Sequence, residues 1–265
     1  MPELPEVELV VRELRPALEG ARFVRVVLRR RRLRSLLPRN FAARLEGATV
    51  RAFVRRGKYL IAELSSGNAL VMHLGMSGSF DVRTDPSAKP SKHDHVLFHL
   101  SSGKTVVFND PRRFGSMRIH AGSTDPLRGV LGPEPLGPDF DASVLARALH
   151  GRRTTLKSAL SNQRVVAGLG NIYVSEALHR ARLSPLRLCT TLVAHSGAPR
   201  PELRRLVRAI RATLTDALSE PITDADRFRV YGREGDRCQR RGCRGSIRRI
   251  VQAGRSTFYC PVCQR

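Results

Sequence analysis

The sequence predicts an α+β chain: one leading helix, an antiparallel all-β unit, a helical unit, and a metal-stapled β-hairpin at the end. Three observations carry this. Between residues 22 and 120, short apolar segments recur between Gly, Ser and Asn, the spacing of strands in an antiparallel sandwich or barrel. Past Gly132-Pro133-Glu134-Pro135-Leu136-Gly137-Pro138 the apolar period lengthens to that of helices. Four of the five cysteines crowd into the last 28 residues, in two close pairs.

The leading helix starts in Met1-Pro2-Glu3-Leu4-Pro5-Glu6-Val7-Glu8. Val7, Val10, Val11, Leu14 and Leu18 continue at helical spacing. Proline in a first turn with Glu nearby is an ordinary helix start. The same residues support chemistry. Removal of Met1 leaves Pro2 with a free secondary amine, and an α-amino group has a pKa of about 8, well below that of lysine. A neutral amine attacks an electrophilic carbon and collapses to an iminium, an electron sink. Glu3 could protonate a leaving group or an opening sugar ring oxygen. Glu6 could orient the amine or a water. The two readings are compatible, because a helix holds the amine rigidly.

Strands are predicted at residues 22–27, 49–54, 59–64, 69–74, 96–100, 105–108 and 116–120. The run at residues 29–34 (RRRRLR) reads as a solvated basic loop. Three segments between strands stand out: residues 55–58 (RRGK), residues 73–78 (HLGMSG) with Met76 at the tip, and residues 109–115 (NDPRRFG). Met and Phe are usually core residues. On Gly/Pro-rich turns they face solvent, and Met76, Arg112 and Phe114 together would form a wedge able to enter a base stack.

Helices are predicted at residues 142–149, 154–160, 171–181 and 202–218. Gly168 and Gly170 free the backbone for a tight turn, and Asn171 can cap the helix that follows. Exposed N–H groups at such a corner suit a phosphate, although helix–turn–helix corners are common. In the tail, Cys238-x4-Cys243 precedes Cys260-x2-Cys263, a spacing that fits one tetrahedral Zn2+ on a β-hairpin. Four thiolates leave no open position, so the metal is structural. Arg244, Arg248, Arg249 and Arg255 put cations on that ribbon, and Cys189 reads as a small core residue.

Composition narrows the partner. The 265 residues carry 47 Lys+Arg against 23 Asp+Glu, a net charge of +24. Most of the basic residues are Arg, whose planar fork suits phosphate. Arg-favouring codons of a GC-rich genome are the competing source of such an excess; a polyanion, nucleic acid first, is the indicated ligand. No apolar run approaches the length of a membrane helix, and no signal peptide is visible. The clustered cysteines point to a metal site in a reducing compartment.

With these residues assembled, the chain resembles the formamidopyrimidine-DNA glycosylases, bacterial enzymes that excise oxidised purines. The resemblance runs over nearly the whole length: PELPEVE, RRGKYL, HLGMSG, KHDH, NDPRRFG, LGPEPL, VVAGLGNIYVSEAL and GRSTFYCPVCQR, in the family's order. PELPEVE, Met76 and the Arg112–Phe114 pair favour this branch over the endonuclease VIII branch, which prefers oxidised pyrimidines. The resemblance implies a catalytic β-sandwich over residues 1–131, a helix–two-turn–helix domain over 132–228 and a zinc finger over 229–265, with DNA between the halves. It implies a monomer without an obligate protein partner, acting on double-stranded DNA in the bacterial cytoplasm at the nucleoid, with one structural Zn2+ on Cys238, Cys243, Cys260 and Cys263.

Roles carry over by matching position. Pro2 resembles the Schiff-base nucleophile and Glu3 the acid that assists base release, with Glu6 beside them. Lys58 matches a residue that assists elimination, and Arg255 the finger arginine that grips phosphate and is linked to δ-elimination. His73 and Asn171 match phosphate contacts, and His93, Arg112 and Arg153 match other DNA-contacting positions. Lys157 falls where the family often has a lysine near the lesion. Met76, Arg112 and Phe114 resemble the trio that fills the gap left by a flipped nucleotide. The x4 spacing enlarges one knuckle. Residues 218–230 are short where the family carries a glycine-rich lid, either a truncation or missing residues. A short lid bears on 8-oxoguanine more than on formamidopyrimidine or abasic sites. Two other readings are a non-catalytic binder of damaged DNA that kept clamp and finger, and an RNA-binding zinc ribbon.

Overall fold

The computed structural model describes residues 1–85, 88–122, 126–219 and 228–265. The expected short lid overlaps residues 220–227, which lie outside the described residues. The chain divides into two compact units, Met1–Arg128 and Gly129–Arg265.

The first unit opens with α1 (Leu4–Leu18). Its buried Val7, Val11, Leu14 and Leu18 form one stripe, as their spacing predicts. Among the described residues eight strands follow: β1 (Phe23–Leu28), β2 (Val50–Arg56), β3 (Tyr59–Leu64), β4 (Asn68–His73), β5 (Ser79–Arg83), β6 (Asp94–Leu100), β7 (Thr105–Asn109) and β8 (Ser116–Ala121). They make two four-stranded sheets, ordered β1-β6-β7-β5 and β2-β3-β4-β8, with antiparallel neighbours throughout. Phe23, Phe98 and Phe108 from one sheet share a single core with Phe53, Leu60 and Leu70 from the other. The helix packs on β2, β3 and β5, taken from both sheets. Strand β5 has no counterpart among the predicted strands. It follows the Gly78 turn, pairs only with β7 at a sheet edge, and shows no fully buried residue. Its alternating Phe80 and Val82 do pack against the core, but two partly buried apolar residues in a five-residue edge strand give only a short periodic signal.

The second unit holds α2 (Ala142–Leu149), α3 (Leu156–Leu160), α4 (Asn171–Arg180) and α5 (Pro201–Ser219), then the hairpin β9 (Arg248–Gln252) and β10 (Arg255–Tyr259). α4 is buried along most of its length and packs on α5, α3 and β10. Arg211 on α5 donates to the carbonyls of Gly137 and Phe140, which fastens the proline/glycine segment to the helical core. Val230, Ile247, Phe258, Cys238 and Cys260 form a small core for the hairpin region. Buried Cys189 is a core residue; burial pushes its thiol up to about 11, where it is inert.

Candidate active site and nucleic-acid interface

Pro2 is half-buried and Glu3, 2% exposed, sits at the helix N-cap. Glu3 and Glu6 form a reciprocal capping box, in which the Glu3 backbone N–H donates to the Glu6 carboxylate at 2.8 Å. Glu6 therefore holds the backbone directly behind Pro2. One turn on, Glu8 pairs with Arg55 at 2.9 Å, and Arg55 also donates to the Gly57 carbonyl at 3.0 Å. These contacts tie α1 to the β2–β3 turn that carries Lys58. Arg55 and Arg56 belong to β2, so the basic turn is shorter than residues 55–58; Gly57, at φ +59°, supplies the left-handed position.

Lys58 is 5% exposed, and its neighbour Tyr59 lies opposite His73 across β3–β4. The Tyr59 and His73 rings meet edge to face at 4.8 Å. Burial, then the charges of Lys58 and Arg34, press the His73 pKa down to about 4. The Gly75 N–H donates to His73 Nδ1 at 2.9 Å. The neutral ring therefore carries its proton on Nε2, ready to donate to an anion.

The two wedge loops are built as one piece. A Cβ on Gly75 (φ +67°) would lie 2.3 Å from the Phe114 carbonyl carbon, so only glycine permits this approach. Asp110 joins the loops from beneath: it accepts from the Ser77 hydroxyl at 2.6 Å and from the Gly115 N–H at 2.7 Å. Ser77 in turn accepts from the Arg112 N–H at 3.2 Å. On this frame Met76 is 45% and Phe114 41% exposed, and the Arg112 guanidinium lies 4.8 Å from the Phe114 ring centroid. Arg34, at the end of the exposed basic run, donates its N–H to the Gly115 carbonyl at 3.0 Å.

His93 is half-buried beside the buried carboxylate of Asp94. Burial alone would raise the Asp94 pKa. Hydrogen bonds from Asn109 and Ser91, with Arg83, outweigh it and hold the acid at about 2. The loop that carries His93 is thereby pinned. The imidazole of His95 bonds to the Asp110 carbonyl at 2.8 Å, which links this loop to the wedge frame.

In the second unit, Arg153 is exposed just before α3. Lys157 is 3% exposed, and its ammonium donates to the Asn171 carbonyl at 3.1 Å, the Asn171 side-chain oxygen at 2.5 Å and Ser175 Oγ at 3.3 Å. Asn171 does not cap α4. Gly170 is the N-cap and Asn171 the first helical residue, whose amide N–H donates to the Ser256 carbonyl on β10 at 2.8 Å. A side chain already engaged by Lys157 and Ser256 is not free to turn back on its own helix. Gln163, which sequence reasoning passed over, braces the glycine corner: its amide donates to the Leu169 carbonyl at 2.6 Å and accepts from the Gly168 N–H at 2.9 Å. Glu176, also passed over, accepts from the N–H groups of Arg229, Val230 and Tyr231, each at 2.9 Å, at the entry to the hairpin region.

Arg255 is exposed at the hairpin tip, next to a turn in which Ala253 and Gly254 both have positive φ, the type I′ geometry of tight hairpins. The four cysteine sulfurs converge: all lie within 4.8 Å of one another, with Cys238–Cys263 at 3.9 Å and Cys243–Cys260 at 3.6 Å. Zn–S bonds of about 2.3 Å in a tetrahedron need sulfur–sulfur edges of about 3.8 Å. The cluster fits one structural Zn2+. No helix among the described residues is long and apolar enough to cross a membrane.

Three family models match the chain. Residues 1–117 match the formamidopyrimidine-DNA glycosylase N-terminal domain, 131–226 the formamidopyrimidine-DNA glycosylase H2TH domain, and 235–265 the zinc finger found in FPG and IleRS. The chain is 52% identical to the formamidopyrimidine-DNA glycosylase of Bradyrhizobium sp. (strain BTAi1) and 52% identical to that of Rhodopseudomonas palustris (strain BisA53), with both chains covered in full. Each alignment runs over 293 residues against 265 in this chain. Among solved structures, it resembles Lactococcus lactis formamidopyrimidine-DNA glycosylase non-covalently bound to AP-site DNA (TM-score 0.86, 32% identity, 99% of each chain). It also resembles the wild-type Lactococcus lactis protein with DNA containing N7-benzyl-Fapy-dG (TM-score 0.85, 32% identity, 100% of each chain).

Proposed function

The chain belongs to the formamidopyrimidine-DNA glycosylase family, and we propose that it excises oxidised purines from double-stranded DNA through Pro2 once Met1 is removed. The Pro2 nitrogen bonds to C1′ of the damaged nucleotide. The glycosidic bond breaks, and the base leaves with a proton. Glu3 assists as acid, from a buried position fixed by Glu6. The sugar C1′–O4′ bond then opens, O4′ taking a proton, and the Pro2 nitrogen, having given up its own proton, completes the iminium. The iminium acidifies the C2′ proton, and β-elimination followed by δ-elimination releases the phosphates on both sides of the lesion, with Lys58 and Arg255 assisting. Formamidopyrimidine, 8-oxoguanine and abasic sites are the substrates.

A base inside a duplex cannot present C1′ to an amine, so the nucleotide must leave the stack. Unstacking costs a few kcal/mol, and Met76, Arg112 and Phe114 offset it by filling the gap. His73, His93, Arg153 and Asn171 hold the backbone, each a phosphate-directed donor. Lys157 acts through Asn171, since its ammonium is already committed inside the fold. The protein works in the bacterial cytoplasm, at the nucleoid.

The observation that supports this reading most is the pairing of Pro2 with a buried carboxyl at Glu3, whose backbone N–H is clamped by Glu6, in a member of the family. Borohydride reduction of the protein with a lesion-bearing duplex tests it. A covalent adduct is expected from the native chain, with weaker trapping but retained DNA binding in Pro2→Gly. Absence of an adduct on formamidopyrimidine, 8-oxoguanine and abasic duplexes alike, with Met1 removed, would leave only the binding reading.

A further inference from the structure

We infer that His179 is an outer-sphere partner of the zinc site, locking the metal knuckle to the far end of α4 and so helping to orient Arg255. His179 is 4% exposed, and its Nε2 lies 3.5 Å from Cys238 Sγ. A zinc-bound thiolate is an acceptor, so the ring donates its Nε2–H to sulfur. Both the neutral Nε2–H ring and the protonated ring can make that bond. Arg240 closes the arrangement: its guanidinium donates to the His179 carbonyl and is also a hydrogen-bond partner of Cys263. Four thiolates on one Zn2+ leave two negative charges, and donors aimed at the sulfurs disperse them.

The consequence is mechanical. α4 holds the hairpin region at both ends, through Asn171 to the Ser256 carbonyl and through His179 to Cys238. At 1.5 Å per residue the two attachments stand about 12 Å apart along a rigid rod. Glu176 also holds residues 229–231 from the middle of α4, and Gln264 donates to the Leu183 carbonyl; the His179 contact adds the attachment that bears on the metal knuckle itself, and Arg255 directly precedes Ser256.

The test uses the full chain loaded with Zn2+, and in parallel with Co2+. Outer-sphere partners typically change metal affinity 10–100-fold. His179→Phe keeps the ring volume and removes the donor. It should release zinc to a chromogenic chelator at least about tenfold faster and shift the sulfur-to-cobalt charge-transfer band. His179→Gln, which keeps an N–H at similar reach, should retain the native release rate and band. A folded His179→Phe protein with native release and an unshifted band overturns the proposal. Should that variant not fold, His179→Asn against His179→Gln decides: the shorter amide should behave as a loss, and identical behaviour of the two overturns it. A native chain without stoichiometric zinc would instead sink the metal assignment itself.

Discussion

The side-chain amide of Asn171 donates to the main-chain carbonyl of Ser256 at 2.8 Å, across 85 residues of sequence. One residue thereby joins the glycine corner, the buried Lys157 and the strand behind Arg255. Asn171→Ala should cut duplex affinity through loss of a phosphate donor and of the alignment of Arg255. It should also leave Lys157 short of an acceptor, at a cost of about 1–3 kcal/mol. Urea melts and binding isotherms of the same preparation check both. Asn171→Asp keeps the acceptor for Lys157, so it should recover stability without recovering affinity.

Glu3→Gln retains the shape and capping position of Glu3 but cannot deliver a proton. Base release from a formamidopyrimidine duplex should slow by about 10²–10⁴-fold, the usual contribution of a placed acid. Borohydride trapping on a preformed abasic site needs no departing base and should suffer less. Single-turnover kinetics on the two substrates separate these steps. Equal losses on both would move Glu3 out of the base-release step.

Gly75→Ala places a methyl 2.3 Å from the Phe114 carbonyl carbon and demands a left-handed backbone. The conformation alone costs roughly 1–2 kcal/mol, before the overlap is relieved. The wedge loops must separate, so the variant should lose stability and lesion-dependent activity together. Phe114→Ala is the contrast: the ring is exposed, so stability should hold while lesion excision falls. Thermal melts set beside cleavage assays distinguish the two.

His73 is held neutral with its pKa near 4 against an ordinary 6.5, first by burial and then by Lys58 and Arg34. Its folded pKa lies below the unfolded one. The stability it contributes is therefore complete above about 6.5 and is lost as pH falls from there to about 4. The full loss is on the order of 3 kcal/mol. Asp94 adds a second decline at lower pH: its stabilisation is present above the ordinary carboxylate pKa of 3.8 and fades as pH falls to about 2. Imidazole NMR titration should place the His73 midpoint below 5, and His73→Gln should flatten the upper limb of the stability curve.

Removal of Zn2+ should unfold the hairpin region, since its small core includes the metal-binding cysteines. DNA affinity should drop sharply, because Arg255 loses its support. The Pro2 chemistry should survive in part at high DNA concentration, because no metal takes part in it. For Z phosphate contacts, the affinity that remains should still follow salt, at a slope of about −0.9Z in log–log form. Circular dichroism, trapping yield and salt titration after chelation check the three parts.

The elements read from sequence were those whose signal is local. The α1 stripe, seven of the eight sandwich strands, the four helices and the cysteine quartet each depend on spacing within a few residues. The start of α1 was legible for the same reason, since its signal lies in the prolines and Glu residues of the first turn; the Glu3–Glu6 capping box itself was seen only in the structure. The engagement of Asn171 was not, and neither was the burial of Lys157, whose acceptor lies 14 residues away. Glu176 and His179 were passed over because their partners stand 54 and 59 residues off, so on their own helix they read as ordinary polar positions.

The order of residues alone thus determined the chemistry available: an N-terminal proline beside carboxylates, cations in excess, a thiol set for one metal, and exposed Met and Phe on glycine turns. Tertiary structure decided which polar groups are spent holding the fold and which remain to meet a ligand. Lys157 and Asp110 are cases of the first, while Arg153 and Arg255 stay exposed and are the groups we propose for the second. The physical reason is desolvation. A buried charge survives only where distant segments bring it hydrogen-bonding partners, and only the folded chain sets where those segments meet.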